Sequence, residues 1–425
     1  MIDLKILQEN PERIKEEVGK RGLSIDVNEI VSLDSRRRSL LVEIEGLRAE
    51  RNKVSQEIPG LSPEERRRKI EDMREISAKL KDFEPILRET EEKLNLLLAQ
   101  LPNFSHSSVP VGKDSSDNVI HHLWGKKPEF DFEPRTHEEI GELLDLVDTE
   151  RASRVSGSRF GYLKNEAALL EFTLVRYALD LLIPKGFVPM VPPVLVKEEA
   201  MFGTGFFPAE ETEYYATRLD DLHLVGTAEV PLCAYHMGEI LEKEDLPLRY
   251  TGFSTCFRRE AGTYGKDLGG IFRVHQFDKV EIFIFSEPDS SWEEYELLRE
   301  TMEEIMKGLG FHYRVMNMCT GDIGLPNAKK YDLEVWFPGQ AMYRELVSCS
   351  HDTDFQSRRL NIRYRDNGKI RFVHTMNSTA CAVGRTLIAI LENYQQADGT
   401  VLIPEILQPY LDGEKTIPFL PRKRS

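Results

Sequence analysis

Two stretches of this 425-residue chain repeat apolar residues at alternating steps of three and four, and a Pro-Gly break separates them. In the first, Leu40, Ile44, Leu47, Val54 and Ile58 fall on one seam, with Arg51 at the missing position. In the second, Met73, Ile76, Leu80, Phe83, Leu87, Leu94, Leu97 and Leu101 continue the alternation, with Thr90 in the gap. Sustained spacing of about 3.5 residues marks helices that pack along a seam. Between them lies Pro59-Gly60-Leu61-Ser62-Pro63-Glu64-Glu65. Pro-Gly ends the first helix; Ser62, Pro63 and two acidic residues start the second. So short a connection makes the two helices antiparallel. The spacing therefore predicts a helical hairpin over about 27–101. Each arm of roughly 30 residues or more would be on the order of 45–60 Å long. That is too long to lie inside one globular core, so the hairpin is expected to project into solvent.

Charge sets this segment apart. The chain carries a formal net charge of −16, which argues against a protein that coats nucleic acid indiscriminately. Yet 13 Lys and Arg face 9 Asp and Glu between Arg36 and Lys81. Arg36, Arg37, Arg38, Arg48, Arg51 and Lys53 lie on one arm, and Arg66, Arg67, Arg68 and Lys69 open the other. In an ordinary coiled coil such residues are solvated flanks with interhelical ion pairs. In a lever that grips a phosphate backbone they are the grip, and the sign contrast with the rest of the chain favours that role.

The hairpin ends at Leu101-Pro102-Asn103-Phe104, and residues 105–128, rich in Ser, Gly, Asp and Lys, read as a linker. The division expected is a helical unit over 1–110 and a second domain over 111–425. From about residue 130 helical stretches alternate with strands. Ile271 to Phe285 reads IFRVHQFDKVEIFIF, and YDLEVWF returns after Pro338-Gly339 as AMYRELVSCS, a hairpin pattern. This pattern predicts an α+β fold on an antiparallel sheet. Five widely spaced cysteines without a C-x-x-C read as buried free thiols in a reducing cytoplasm, with no zinc ribbon. No apolar run of membrane-spanning length occurs, and the N-terminus lacks the continuous apolar core of a signal peptide.

The second domain has no G-x-x-x-x-G-K-[ST], no G-x-G-x-x-G and no H-E-x-x-H. A nucleotide would have to be held on a sheet by charged side chains. Strand alternation places Arg273, His275, Phe277, Lys279 and Glu281 on one face, with Phe272, Val274, Val280 and Ile282 on the other. The first face makes a poor core but a good platform for an anionic, aromatic ligand. Arg273 and Phe277 would stand about 13 Å apart, the scale from phosphate to base in a nucleotide. Phe257-Arg258-Arg259-Glu260 precedes a glycine-rich loop, Ala261 to Gly270, that leads into this strand. Guanidinium groups there suit bidentate phosphate or carboxylate binding.

F-R-x-E, a loop, and then R-V-H-Q-F-x-K-V-E resembles motif 2 of the class II aminoacyl-tRNA synthetases, in the form used by the bacterial-type seryl-tRNA synthetase family. Lys185 to Leu195 is similar to motif 1, with Pro193 at its proline. Thr227-Ala228-Glu229 matches the T-x-E loop, and Asn377-Ser378-Thr379 followed by Ala382-Val383-Gly384-Arg385-Thr386 resembles motif 3. The basic hairpin matches the family's N-terminal arm, so the resemblance runs along the whole chain. Motif 3 departs from the generic G-x-G-x-G-x-E-R, and Thr379 stands where many relatives have Ser; both residues keep a hydroxyl.

The resemblance implies a ligase of protein biosynthesis that uses ATP and Mg²⁺, L-serine and serine tRNA, with tRNA(Sec) as a further substrate, and that forms a homodimer through motif 1. It implies that Arg258, Arg273 and Arg385 are catalytic. Arg258 would lie between the α-phosphate and the serine carboxylate, and Arg273 on the γ-phosphate. Glu260 would bond the adenine edge, with the base between Phe277 and Arg385. The ATP site would also take in Arg259, Val274 and Glu345-Leu346-Val347-Ser348, and Glu345 and Ser348 would hold the metal. Thr227, Ala228 and Glu229 would take the serine ammonium, Glu281 and Thr379 its hydroxyl. Three other readings compete with this one: an RNA-binding paralogue without catalysis, an enzyme loading a carrier protein, and a coiled-coil scaffold. Intact charged positions, the long hairpin and the polar strand face speak against them in turn.

Overall fold

The computed structural model describes residues 1–208, 210–261 and 269–421. Its contacts divide the chain into two units, Met1–Pro102 and Asn103–Ser425.

In the first unit, short helices α1 (Leu4–Glu9) and α2 (Pro11–Lys20) precede α3 (Val27–Glu57) and α4 (Pro63–Gln100). Asp26 caps α3 by accepting from Asn28 and Glu29 N–H. Ser62 caps α4 in a reciprocal box with Glu65, and Pro63 takes the first helical position. Ile44, Ile76 and Leu80 are buried against one another, with Leu47, Phe83 and Leu87 packed around them. Full burial of such a side chain stabilises by about 1.5–3 kcal/mol. The seam is the expected one until its end, where Leu98 rather than Leu97 is the buried residue. Pro85 lies within α4, at an exposed position off the seam.

The arm's cations divide into two groups. Arg48 pairs with Glu84 and Lys69 with Glu57 across the hairpin, while Arg37 and Arg38 close on buried Asp34. Burial opposes ionisation of Asp34, but hydrogen bonds from Arg37 and Gln8 hold its carboxyl below the usual range. Arg68 reaches Glu64, and Arg66 donates to the Ile58 carbonyl. Among the described residues Arg36, Arg51, Lys53 and Arg67 are engaged in no ion pair, and Arg36, Lys53 and Arg67 are exposed.

The second unit is α+β. Its main sheet contains β1 (Val119–Trp124), β2 (Val188–Met190), β3 (Leu248–Phe257), β4 (Gln276–Ser286), β5 (Tyr313–Asn317), β6 (Lys329–Phe337), β7 (Met342–Thr353) and β8 (His374–Ala382). They lie in the order β1-β5-β6-β7-β8-β4-β3-β2, antiparallel throughout except for the β2–β3 edge pair. Helices α5 (Glu166–Leu182), α6 (Ser291–Gly308) and α7 (Val383–Asn393) cover one face. Val280, Ile282 and Ile284 of β4 enter that core with Leu174, Met302 and Leu387. The opposite face holds Lys279 and Glu281, and beyond them Phe283 and Phe285 pack with Leu232 and Tyr250.

Two expectations are corrected here. The stretch read as a linker, residues 105–128, is part of the second unit's fold: His106 N–H bonds Ala328 O at 2.9 Å, and β1 pairs with β5. A six-residue edge strand in polar surroundings gives little periodic signal. The platform strand begins at Gln276 rather than Ile271. The two-residue alternation therefore does not extend to His275, whose Nδ1 meets the Arg258 carbonyl. Most of the glycine-rich loop, residues 262–268, lies outside the described residues.

Candidate active site

A cleft of about 550 Å³ opens on the uncovered face of the sheet. Two β-bulges shape it. Glu345 pairs with Glu334 and Val347 with Leu333, so Leu346 is an extra residue in β7. Three residues along a regular strand the side chain points to the other face; the bulge brings both Glu345 and Ser348 to the cleft. In β8, Thr379 pairs with Glu281 and Cys381 with Val280, leaving Ala380 extra. Thr379 and Ala382 both face the cleft as a result, and α7 starts beside it with Arg385.

One end is acidic. Thr227 and Thr379 hydroxyls each stand 3.4 Å from the Glu281 carboxylate, which pairs with Lys279. Glu229 opens a short helix, Glu229–Cys233, and its N–H is capped by Thr227 Oγ1 at 3.1 Å. Gly252 lies beneath this segment: a Cβ there would come within 3.0 Å of Leu232 and 3.3 Å of Ala228. The Glu229 carboxylate accepts from Gln356 at 2.9 Å and from Asn377 at 3.1 Å. Burial, then the negative charges of Asp352 and Glu281, push it up to about 8. An excess of carboxylate over cation at a hydrogen-bonded pocket floor suits an ammonium ligand.

The other end is cationic and aromatic. Arg258 stands 5.4 Å over the Phe277 ring, and its Nε donates to the Gly226 carbonyl at 3.2 Å. Arg273 Nε pairs with Glu260 at 2.5 Å. Arg385 lies 4.9 Å over Phe272 and donates to the Glu345 carbonyl at 2.8 Å. Burial alone would raise Glu345, but Arg385, Lys330 and Arg258 outweigh it and lower the carboxyl to about 2. Lys330 reaches Asp332 at 2.9 Å.

Of the residues singled out in the sequence, Thr227, Glu229, Arg258, Glu260, Arg273, Val274, Phe277, Glu281, Glu345, Leu346, Val347, Ser348, Thr379 and Arg385 line this one cleft. Ala228 and Arg259 do not: Ala228 is completely buried beside Leu232, and Arg259 N–H is tied to the Glu213 carbonyl at 2.7 Å. Sequence reasoning missed Glu210, Tyr214, Lys330 and Asn327 among the lining residues. Only loop conformation and strand register bring them in. Lys279 and Asn377 stood in quoted motifs without a role, although Lys279 shares the strand parity of Glu281.

The comparisons with known proteins extend over both units. Residues 212–394 match the model of the tRNA synthetase class II core domain (G, H, P, S and T), and residues 1–105 match that of the seryl-tRNA synthetase N-terminal domain. The serine–tRNA ligase of Thermodesulfovibrio yellowstonii is 48% identical over 97% of this chain and 99% of its own. That of Pyrococcus horikoshii is 45% identical over 100% and 99%. A crystal structure of the Pyrococcus horikoshii seryl-tRNA synthetase complexed with ATP superposes with a TM-score of 0.90 over 98% of this chain and 99% of that one, at 45% identity. The cytoplasmic serine–tRNA ligase of Naegleria fowleri, in complex with AMP, gives 0.86 over 98% of each chain at 34% identity.

Proposed function

We propose, because the chain belongs to the seryl-tRNA synthetase family and is a class II serine–tRNA ligase, that it works in two steps inside this cleft. The carboxylate of L-serine attacks the α-phosphate of ATP, and pyrophosphate leaves. The terminal ribose hydroxyl of tRNA(Ser) then attacks the carbonyl of seryl-adenylate, and AMP leaves. The observation that carries this reading is one cleft with a carboxylate floor at one end and three arginines with an aromatic ring at the other.

Both steps develop charge on phosphate, and fixed cations stabilise it without reorganising. Arg258 bridges the α-phosphate and the serine carboxylate, screening their repulsion. Arg273 exchanges Glu260 for the γ-phosphate and frees that carboxylate for the adenine amino group. The base lies on Phe277, with Arg385 opposite. Thr227 and Glu229 hold the ammonium; Glu281 and Thr379 take the hydroxyl. Glu345, ionised, and Ser348 are hard oxygen donors that fit Mg²⁺ and would hold such an ion arriving with the nucleotide. Such an ion would supply neutralisation of phosphate charge. Among the described residues no group of three His, Cys, Asp or Glu could hold a metal.

The helical arm takes the tRNA, through Arg36, Arg51, Lys53 and Arg67 first, and tRNA(Sec) is charged as well as tRNA(Ser). Motif 1 forms a homodimer interface, in keeping with the exposure of Val191 (85%) within it and of Phe172 (71%) on the preceding helix α5. The setting is the cytoplasm; no described helix is long and apolar enough to cross a membrane, and all five cysteines are free and buried. Pyrophosphate exchange measured with each of the twenty amino acids tests the reading. Exchange driven by serine is expected, and exchange driven best by another amino acid overturns it.

A further inference from the structure

Asp352, near the end of β7, is completely buried and has no part in the chemistry above. Its Oδ2 accepts from Asn377 Nδ2 at 3.1 Å, and the same nitrogen donates to Glu229 Oε1 at 3.1 Å. A primary amide nitrogen carries two hydrogens, so one NH₂ serves two carboxyl groups. Asp352 Oδ1 accepts from Asn327 Nδ2 at 2.6 Å. Gln356 also donates to Glu229 Oε1, at 2.9 Å. Both donors therefore fall on one oxygen of Glu229, Oε1, and Glu229 lines the cleft.

Orientation of Asn377 decides whether this works. Its amide meets Glu229 favourably only with the NH₂ end. Turned about, it would set an oxygen against a carboxylate. Asp352 offers an acceptor on the far side of the same nitrogen and so holds that orientation, while Asn327 holds Asp352. Burial pushes the Asp352 carboxyl up to about 7, so the site tolerates this second acid only at a cost in ionisation.

We propose that Asp352 is a positioning residue for amino-acid binding: acting through the Asn377 amide, it fixes Glu229 with one carboxylate oxygen facing the α-ammonium of serine. The proposal rests on the assignment of that ammonium to Glu229. Asp352→Asn tests it. The variant has one acceptor oxygen to meet two donor amides, so one buried donor loses its partner.

The measurement is steady-state pyrophosphate exchange on the full chain, varying serine at saturating ATP and ATP at saturating serine. Asp352→Asn is expected to raise KM for serine about tenfold and to leave kcat and KM for ATP within about twofold. Asn327→Ala, which removes the donor to Asp352, is expected to raise KM for serine about threefold, and it decides the matter if Asp352→Asn does not fold. Glu229→Gln should raise KM for serine at least as much, and adding Asp352→Asn to it should change that value by less than twofold, because the two act through one group. Unchanged KM for serine in the Asp352 and Asn327 variants, a parallel change in the ATP parameters, or additive effects in the double variant would overturn the proposal. If Glu229→Gln itself leaves KM for serine unchanged, the assignment of Glu229 falls and the proposal falls with it. If Glu229→Gln raises it and Asp352→Asn does not, the proposal alone falls.

Discussion

At the residue scale, Arg258 is the side chain on which the two-step reading depends most. It lies over Phe277 at the cationic and aromatic end and is braced by the Gly226 carbonyl. Arg258→Ala should lower serine-dependent exchange by about 10²–10³, the effect of losing one transition-state donor. Arg258→Lys should recover only part, because a point charge does not bridge two oxyanions in a plane. Activity within a few-fold of wild type would show that the α-phosphate lies elsewhere. Glu281 and Thr379 carry a different test. A pocket built to bond a hydroxyl rejects the analogue without it, by on the order of 10⁴, because its buried polar groups are left unpaired. Glu281→Gln should depress kcat/KM for serine strongly and for alanine much less, narrowing the ratio; Thr379→Val should act in the same direction more weakly. Parallel losses for the two amino acids would leave these residues a structural role only. Glu281 was legible because motif and strand parity agree on it; Arg258 and Thr379 were legible from the motifs alone. Asp352, Asn327 and Gln356 were not. Their partners are distant in sequence, Gln356 standing 127 positions after Glu229, and meet only through register and bulges, which no local pattern announces.

At the element scale the hairpin was the most legible part, since spacing, breaker and cap all agree on where α3 stops and α4 starts. The sheet was less so. The order β7-β8-β4-β3 sets β8 beside β4, far apart in the chain, and the bulges at Leu346 and Ala380 change which residues face the cleft. β1 was read as a linker because its burial does not alternate: five of its six residues are exposed. The cap of α4 offers a local check. Ser62→Ala removes the acceptor for the Glu65 N–H and should weaken the first turn by about 1 kcal/mol. Amide exchange in that turn should quicken about fivefold while the exchange of β4 and β8 is unchanged. No difference between mutant and wild type in the first turn would mean that packing along the seam, not the cap, sets where the helix begins.

At the scale of the whole molecule, pH and charge act differently on stability and on substrate binding. His351 is buried, stacks 3.9 Å from Trp292, and its Nδ1 accepts the Thr353 N–H at 3.0 Å. Burial, and then His374 and His106 nearby, keep it neutral and hold its pKa well below the ordinary value. The unfolded chain therefore takes up a proton near pH 6.5 that the folded chain refuses, and the stability contributed by this group is present above that pH and lost as pH falls below it. Thermal unfolding of His351→Gln should accordingly depend less on pH between 7 and 5 than that of wild type. The last prediction concerns the arm. Arg36, Arg51, Lys53 and Arg67, the arm cations engaged in no ion pair among the described residues, lie in the first unit, and every residue assigned to ATP and serine lies in the second. On the proposed two-step reaction adenylate formation needs no tRNA, so replacing residues 36–100 by a short linker should leave serine-dependent pyrophosphate exchange nearly intact and abolish charging of tRNA. Because released counterions drive phosphate contacts, tRNA binding by the full chain should weaken by about 0.7–0.9 log units per neutralised phosphate for each tenfold rise in salt. Neutralising Arg36, Arg51, Lys53 and Arg67 together should flatten that slope by up to about four contacts' worth, whereas neutralising Arg37 and Arg38, whose charge Asp34 already meets, should flatten it less. Equal loss of exchange and charging on arm replacement would overturn the division of labour, and a slope unchanged in the fourfold variant would return those arginines and that lysine to the ordinary role of solvated helix flanks.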